Sequence, residues 1–252
     1  MQAPNVSAEE AAVGLAGAVG QEGTAHRGRG EAVEHALRRE IVLGTLTPGA
    51  VLRELDLAQR FNCAQGTIRE ALMRLSEEGL VMRRARRDTH VALANPEDAG
   101  ELLRIRYDIE CRAAARVMRK PADAPGHEQA PADLARDLDA ILQDMRLAAL
   151  KGDEYALLEH DCRFHLRLFS SAGMPVVEPV LLRCLVHTQR YKVLNTAPEG
   201  RDLLATANRH LAIIDALDTG VPEALVEALA HHIATIADFG PQMIAHGTGS
   251  PT

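Results

Sequence analysis

The sequence predicts a mainly α chain in two parts: a small three-helix lobe ending in a basic hairpin, then a larger all-helical bundle. Three observations lead there. The 252 residues include no Trp, four Phe and three Tyr, and a chain rich in Ala and Leu but poor in aromatics favours helices over sheets. From Pro96 onward, apolar residues recur at helical spacing almost without interruption,. Charge is divided: the net charge is −7, yet residues 27–93 hold 12 Arg against 9 Asp or Glu. A basic head on an acidic body is the footprint of a nucleic-acid module joined to something else.

The elements follow in order. Residues 1–26 carry no Lys or Arg and are rich in Ala, Gly and Glu; they read as a mobile tail without the basic start of a secretory signal. Val33, Leu37 and Ile41 mark the buried side of a helix over 31–44, closed by Gly44 and the Pro48-Gly49 turn,. Leu55, Leu57, Ala58 and Phe61 mark a second short helix from near Glu54, and Asn62-Cys63 allow a tight turn. In "CAQGTIREALMRLSEEGLV", Ile68, Ala71, Leu72 and Leu75 form one apolar stripe of a third helix ending at Gly79,. Val81 and Val91 are the ends of a two-stranded hairpin whose tip is an arginine cluster,. Six helical segments are expected after that: 97–119, 131–151, 153–172, 175–195, 200–219 and 222–244. The Pro-rich stretch 120–133 is a loop. The implied domains are a head over 27–94, a helical body over 95–246, and a short tail, 247–252.

Three helices followed by a basic hairpin is the layout of a winged helix-turn-helix, whose third helix enters the major groove with its N-terminal residues at base edges. The apolar stripe would pack on the first two helices. Gln65, Gly66, Thr67 and Arg69 would face DNA, with Arg69 able to bond guanine O6 and N7. Arg53 and the wing residues Arg83, Arg84, Arg86 and Arg87 suit phosphates or the minor groove. Alternatively, these arginines are solvated charges on a small helical domain.

"GTLTPGAVLRELDLAQRFNCAQGTIREALMRLSEEGLV" resembles the N-terminal domain of the GntR family of bacterial transcription regulators, through Pro48-Gly49, "LRELDLAQRF", "IREAL" and "EGLV". The chain departs from the family where Ala64, Gln65, Gly66 and Thr67 stand in place of Ser-Arg-Thr-Pro, and where Asp88 replaces the wing glycine. Ala64 removes a helix cap worth about 1 kcal/mol.

In the body, Asp161 and His165 of "DCRFH" are i and i+4 and leave one helix face together,. His210 opens "HLAIIDAL". His232 shares a stripe with Leu225, Leu229 and Ile236, whereas His231 is turned away. Three histidines and a carboxylate on three helices can converge on one divalent ion, with zinc, nickel, iron and manganese all compatible. They can equally be hydrogen-bonded core residues. Residues 96–244 resemble the FCD domain usually paired with this head, through "LLRIRYDIE", "DCRFHLRLF", "NRHLAIIDAL" and "EALAHHI", and six helices resemble its VanR-like branch. The resemblance implies a divalent metal, zinc first, held by Asp161, His165, His210 and His232. It also implies a small organic acid beside the ion, clamped by Arg106 with Arg190 and Asn208 as further candidates. Arg106 has a competing explanation, a salt bridge with Glu110 four residues on.

The expected protein is therefore a metabolite-responsive, DNA-binding transcription regulator. It would be a cytoplasmic homodimer on a near-palindromic operator, with repression released by a small carboxylate. No apolar run approaches the roughly 20 residues a membrane helix needs. Two other readings use the same residues: a regulator with a purely structural metal, and a metal-dependent hydrolase or lyase. The four cysteines form no CxxC pair, which points to reduced thiols.

Overall fold

The computed structural model describes residues 28–83, 89–119 and 131–235. Arg84, Arg86, Arg87, the N-terminal tail, loop 120–130 and everything from Ile236 onward lie outside these residues, as do the readings made of them. The chain divides into two compact units, Met1–Ile41 with Leu46–Ala92, and Val42–Thr45 with Leu93–Thr252.

The first unit contains α1 (28–42), β1 (Val51–Leu52), α2 (Glu54–Arg60), α3 (Gln65–Glu77), β2 (Val81–Arg83) and β3 (Thr89–Val91). The stripe Ile68, Ala71, Leu72 and Leu75 is fully buried, as are Leu37 and Ile41 of α1. Charge ties the helices as well. Arg38 of α1 binds Glu34 and also Glu78 just past α3, and Arg74 of α3 reaches Glu34 at 3.0 Å. Asn62, at φ 47°, makes the tight turn before α3, a conformation its short polar side chain tolerates. Ala64 stands at the N-cap of α3 and gives no side-chain hydrogen bond.

The expected hairpin is one strand short of what forms. The sheet has three strands in the order β1-β3-β2, all antiparallel, with Val51 opposite His90 and Val81 opposite Val91. A two-residue strand carries too little alternation to be seen in sequence. It is placed by the Thr47–Ala50 turn, in which Ala50 N–H donates to Thr47 O at 3.0 Å and Gly49 sits at φ 82°. That turn requires a positive φ after proline, which glycine alone adopts freely.

The second unit is helical: α4 (Pro96–Arg119), α5 (Pro131–Leu150), α6 (Glu154–Ser170), α7 (Glu178–Asn195), a 3-10 turn at Pro198–Gly200, α8 (Leu203–Asn208), α9 (Leu211–Asp218) and α10 (Pro222–Ala234). One expectation is corrected. Segment 200–219 is not one helix, because the chain turns at Arg209-His210 between α8 and α9. The described residues of this unit thus form seven α-helices, and the six-helix count behind the VanR-like assignment does not hold. α4 packs on α6, α7 and α10; α5 on α6, α8 and α9. Leu103, Leu138, Leu142, Phe164, Leu168, Leu185, Leu217 and Leu229 belong to the shared core. No helix among the described residues is long and apolar enough to cross a membrane.

Candidate nucleic-acid interface and candidate metal centre

On the first unit, the start of α3 and the start of α2 form one polar face. Gln65 and Gly66 are exposed, and a Cβ on Gly66 would meet nothing within 4 Å. The Arg69 side chain is 61% exposed. Its Nη2 donates to Glu54 Oε2 at 2.9 Å and its Nε to Glu54 Oε1 at 3.3 Å, while Gln65 Nε2 donates to Glu54 Oε2 at 3.3 Å. The Arg69 hydrogen bond is the main reason the Glu54 carboxyl is held below its ordinary range; the charges of Arg69 and Arg83 add to it. Arg53 is exposed, with Nη1 3.8 Å from Asp56 Oδ2, and Arg83 is exposed at the end of β2. Thr67 departs from the expectation of a DNA-facing residue. It is 2% exposed, and its methyl lies beside Gly30 of α1. Two positions after Gln65, its side chain leaves the helix about 200° away, on the packed face.

In the second unit, Asp161, His165, His210 and His232 come together, all buried, each offering a ligand atom within 4.8 Å of the others. Asp161 and His165 project from α6, His210 stands at the N-cap of α9, and His232 comes from α10. The break between α8 and α9 is what turns His210 inward. Its Nδ1 lies 3.1 Å from Ala207 O, so Nδ1–H donates and Nε2 faces Asp161 Oδ1 at 3.1 Å. Those two atoms oppose each other as lone pairs unless a proton or a cation stands between them. Phe164 packs edge-on against the His210 ring, centroids 4.7 Å apart, and restricts its rotation.

His165 is oriented the same way. Its Nδ1 lies 2.6 Å from Glu110 Oε2, which directs Nε2 into the cluster. Glu110 also accepts from Arg106 Nε at 2.5 Å, and Arg106 Nη2 lies 2.8 Å from His165 Nε2. Arg106 therefore forms the expected pair with Glu110 and also faces the cluster. An ion and the guanidinium would compete for the same His165 lone pair. Arg106 Nη1, His210 Nε2 and both nitrogens of His232 are buried without a hydrogen-bond partner. Leaving such a group unsatisfied costs about 1–3 kcal/mol.

Electrostatics favour donors over acids. Burial drives His232 well below its ordinary value, with His210 next, and burial likewise lowers His165 against the opposing pull of Glu110. Burial by itself would raise Asp161, but His210 facing it, then His165 and Arg106, hold it well below the usual carboxylate range. Glu110 is similar: burial raises it, and His165 and Arg106 outweigh burial. His165 and His232 kept neutral beside an ionised Asp161 are the ligand states a divalent ion requires,.

Gln189 of α7 was not visible in the sequence as part of this site. Its Nε2 donates to Asp161 Oδ2 at 2.6 Å and to Leu158 O at 3.3 Å, and its Oε1 accepts from Cys162 Sγ at 3.3 Å. It occupies one carboxylate oxygen and leaves Oδ1 directed at His210. The sequence carries no signal for it, since a buried glutamine on a helix has no metal-ligand spacing. Arg190 follows it and is wholly buried, which lowers its guanidinium to about 10. Asn208 is half-buried and accepts from Arg146 Nε of α5 at 2.8 Å, a tie that anchors the α8–α9 turn to α5.

A helix-turn-helix lobe with a small antiparallel sheet, and a second, helical unit holding buried histidines, are the two parts of a DNA-binding transcription regulator. Residues 29–91 match the bacterial regulatory proteins of the gntR family, and residues 101–235 match the FCD domain. The chain belongs to the GntR family, with an FCD domain as its second part. It is 26% identical over 204 residues to the HTH-type transcriptional repressor RspR of Escherichia coli, covering 80% of this chain and 84% of that protein. It is 28% identical over 211 residues to the E. coli regulator McbR, covering 81% and 90%. In three dimensions it resembles E. coli McbR/YncC, with a TM-score of 0.63 at 22% identity over 81% of this chain and 93% of that one. It also resembles a GntR regulator from Rhodococcus sp. RHA1, with a TM-score of 0.62 at 27% identity over 82% and 94%. It is a DNA-binding transcription regulator and not an enzyme.

Proposed function

We propose that this regulator is a homodimeric repressor whose DNA binding responds to a small carboxylate at a divalent metal in the FCD domain. The observation that carries the reading is the convergence of three imidazoles and one carboxylate, all buried, within 4.8 Å, with orphaned nitrogens on His210 and His232. Metal–nitrogen bonds of about 2.1 Å put trans donors about 4.2 Å apart and cis donors nearer. Donors spread over as much as 4.8 Å reach that span by drawing in about 0.6 Å, and four of them leave an ion coordination positions to spare. Nitrogen and oxygen donors suit zinc, and nickel, iron or manganese also fit. The ion would give the pocket positive charge and a place for an oxygen ligand.

Arg106, held at Nε by Glu110, keeps its Nη groups on the cluster side and would take the other end of a carboxylate. Arg190 and Asn208 are secondary candidates. Effector binding alters DNA affinity only if the two arrangements of the dimer bind it with different free energies. On the head, Arg53, Gln65, Gly66, Arg69 and Arg83 would meet the operator, with α3 in the major groove and two half-sites related by the dimer axis.

Metal analysis and native mass spectrometry of the purified protein test this directly, followed by calorimetric titration of zinc-loaded and EDTA-stripped protein with succinate, malate and citrate. One ion per chain, lost in His210→Ala, and a carboxylate that binds only the loaded form are expected. Zinc that neither binds nor raises the melting temperature would overturn the metal reading. Zinc binding with no response to any acid would leave the ion structural and remove the effector.

A further inference from the structure

We propose that Glu54 sets the base preference of this head, by fixing Arg69 to present a guanine-reading edge and Gln65 to present an adenine-reading edge. The inference rests on the proposed placement of α3 in a major groove. Arg69 offers five N–H donors in a rigid plane. Glu54 takes the edge formed by Nε and Nη2, at 3.3 and 2.9 Å. The opposite edge, formed by Nη1 and the second Nη2 hydrogen, stays open on a side chain 61% exposed. Two parallel donors at that separation match guanine O6 and N7 and no other base edge in the groove.

Gln65 is constrained by the same carboxylate. A free glutamine amide can present either sense. Here Nε2 donates one hydrogen to Glu54 Oε2 at 3.3 Å, so Oε1 and the second Nε2 hydrogen face outward as an acceptor and a donor. That pair complements adenine N6–H and N7. Gln65 and Arg69 are one turn apart on α3, roughly 6 Å along the axis, against about 3.4 Å per base step. The two bases then lie within two steps of each other in each half-site.

Glu54 also acts through its charge. It is 23% exposed, paired to Arg69, and lies in the field of Arg83. A carboxylate among the reading cations opposes a phosphate that approaches without a guanine. It therefore weakens binding to random sequence more than binding to the operator. Glu54 touches no base in this scheme; it is a positioning residue.

The test is selection of bound duplexes from a randomised pool by the full-length wild type, Glu54→Gln, Glu54→Ala, Arg69→Ala and Gln65→Ala, with melting curves confirming that each folds. The wild type is expected to enrich guanine and adenine within two steps in each half-site. Arg69→Ala loses only the guanine preference and Gln65→Ala only the adenine preference. Either Glu54 variant lowers both preferences roughly tenfold, leaves the others, and binds random DNA more tightly. Replacing the guanine by 7-deazaguanine weakens the wild type about tenfold and Arg69→Ala hardly at all. Glu54 variants that keep both preferences overturn the proposal while the DNA-reading face stands. A wild-type consensus untouched by Arg69→Ala, or no consensus at all, overturns the reading face itself.

Discussion

Glu110→Gln isolates the part of the FCD site that supports its ligands. Glu110 is 2% exposed and accepts from both Arg106 Nε and His165 Nδ1. The substitution keeps the shape and removes the charge, leaving the guanidinium of Arg106, itself wholly buried, without its counter-ion. Breaking one side of a buried pair costs about 3–5 kcal/mol. The isosteric amide keeps one acceptor, so about 3 kcal/mol is expected. In a unit of this size each kcal/mol lowers the melting temperature by roughly 2–4 °C, giving a fall of about 6–12 °C in EDTA-stripped protein. His165 also loses the acceptor that fixes its tautomer, and loss of such a partner costs about 10–100-fold in metal affinity. Differential scanning calorimetry and competition titration with a zinc-binding dye measure the two effects. A melting temperature within about 2 °C of wild type, with zinc affinity within about threefold, would refute the argument that Glu110 both neutralises Arg106 and orients His165.

Acid should destabilise the metal-free protein. His165 and His232 are held below their ordinary value, so the folded chain stays neutral there while the unfolded chain takes up protons below about pH 6.5. Their contribution is full above that pH and falls as pH drops, on the order of 1 kcal/mol per pH unit per histidine. Glu110 and Asp161, lowered in the folded state, add a further loss below about pH 4.5; melting curves at pH 5, 6 and 8 should show the first decline, reduced in His232→Gln. At Gly44, φ is 79° and a Cβ would come 2.5 Å from Leu194 Cδ2. Gly44→Ala should therefore cost about 1–3 kcal/mol, read as a lower denaturant midpoint, and an unchanged midpoint would refute both the backbone strain and the Leu194 contact as costs.

Much of this molecule follows from short-range rules. The α3 stripe, the Pro48-Gly49 turn and the inward register of Asp161, His165 and His232 are consequences of helical period and φ preference. These act between neighbours and can be read along the chain. The fold class was legible for the same reason, since continuous helical periodicity leaves few alternatives.

Other features depended on partners distant in sequence. Thr67 and Gln65 stand two residues apart, yet one is packed near Gly30 and the other is exposed; which side of α3 meets α1 decides that. Gln189, 28 positions from Asp161, and Glu110, 55 positions from His165, join the site only once α4, α6 and α7 pack together. The break that aims His210 falls between two stretches with the same helical pattern. By itself, the sequence determined which residues carry lone pairs and charge and which face of each helix is apolar. The tertiary structure alone decided which lone pairs meet, because hydrogen bonding and Coulomb attraction act over a few ångströms of space, a distance that chain separation does not encode.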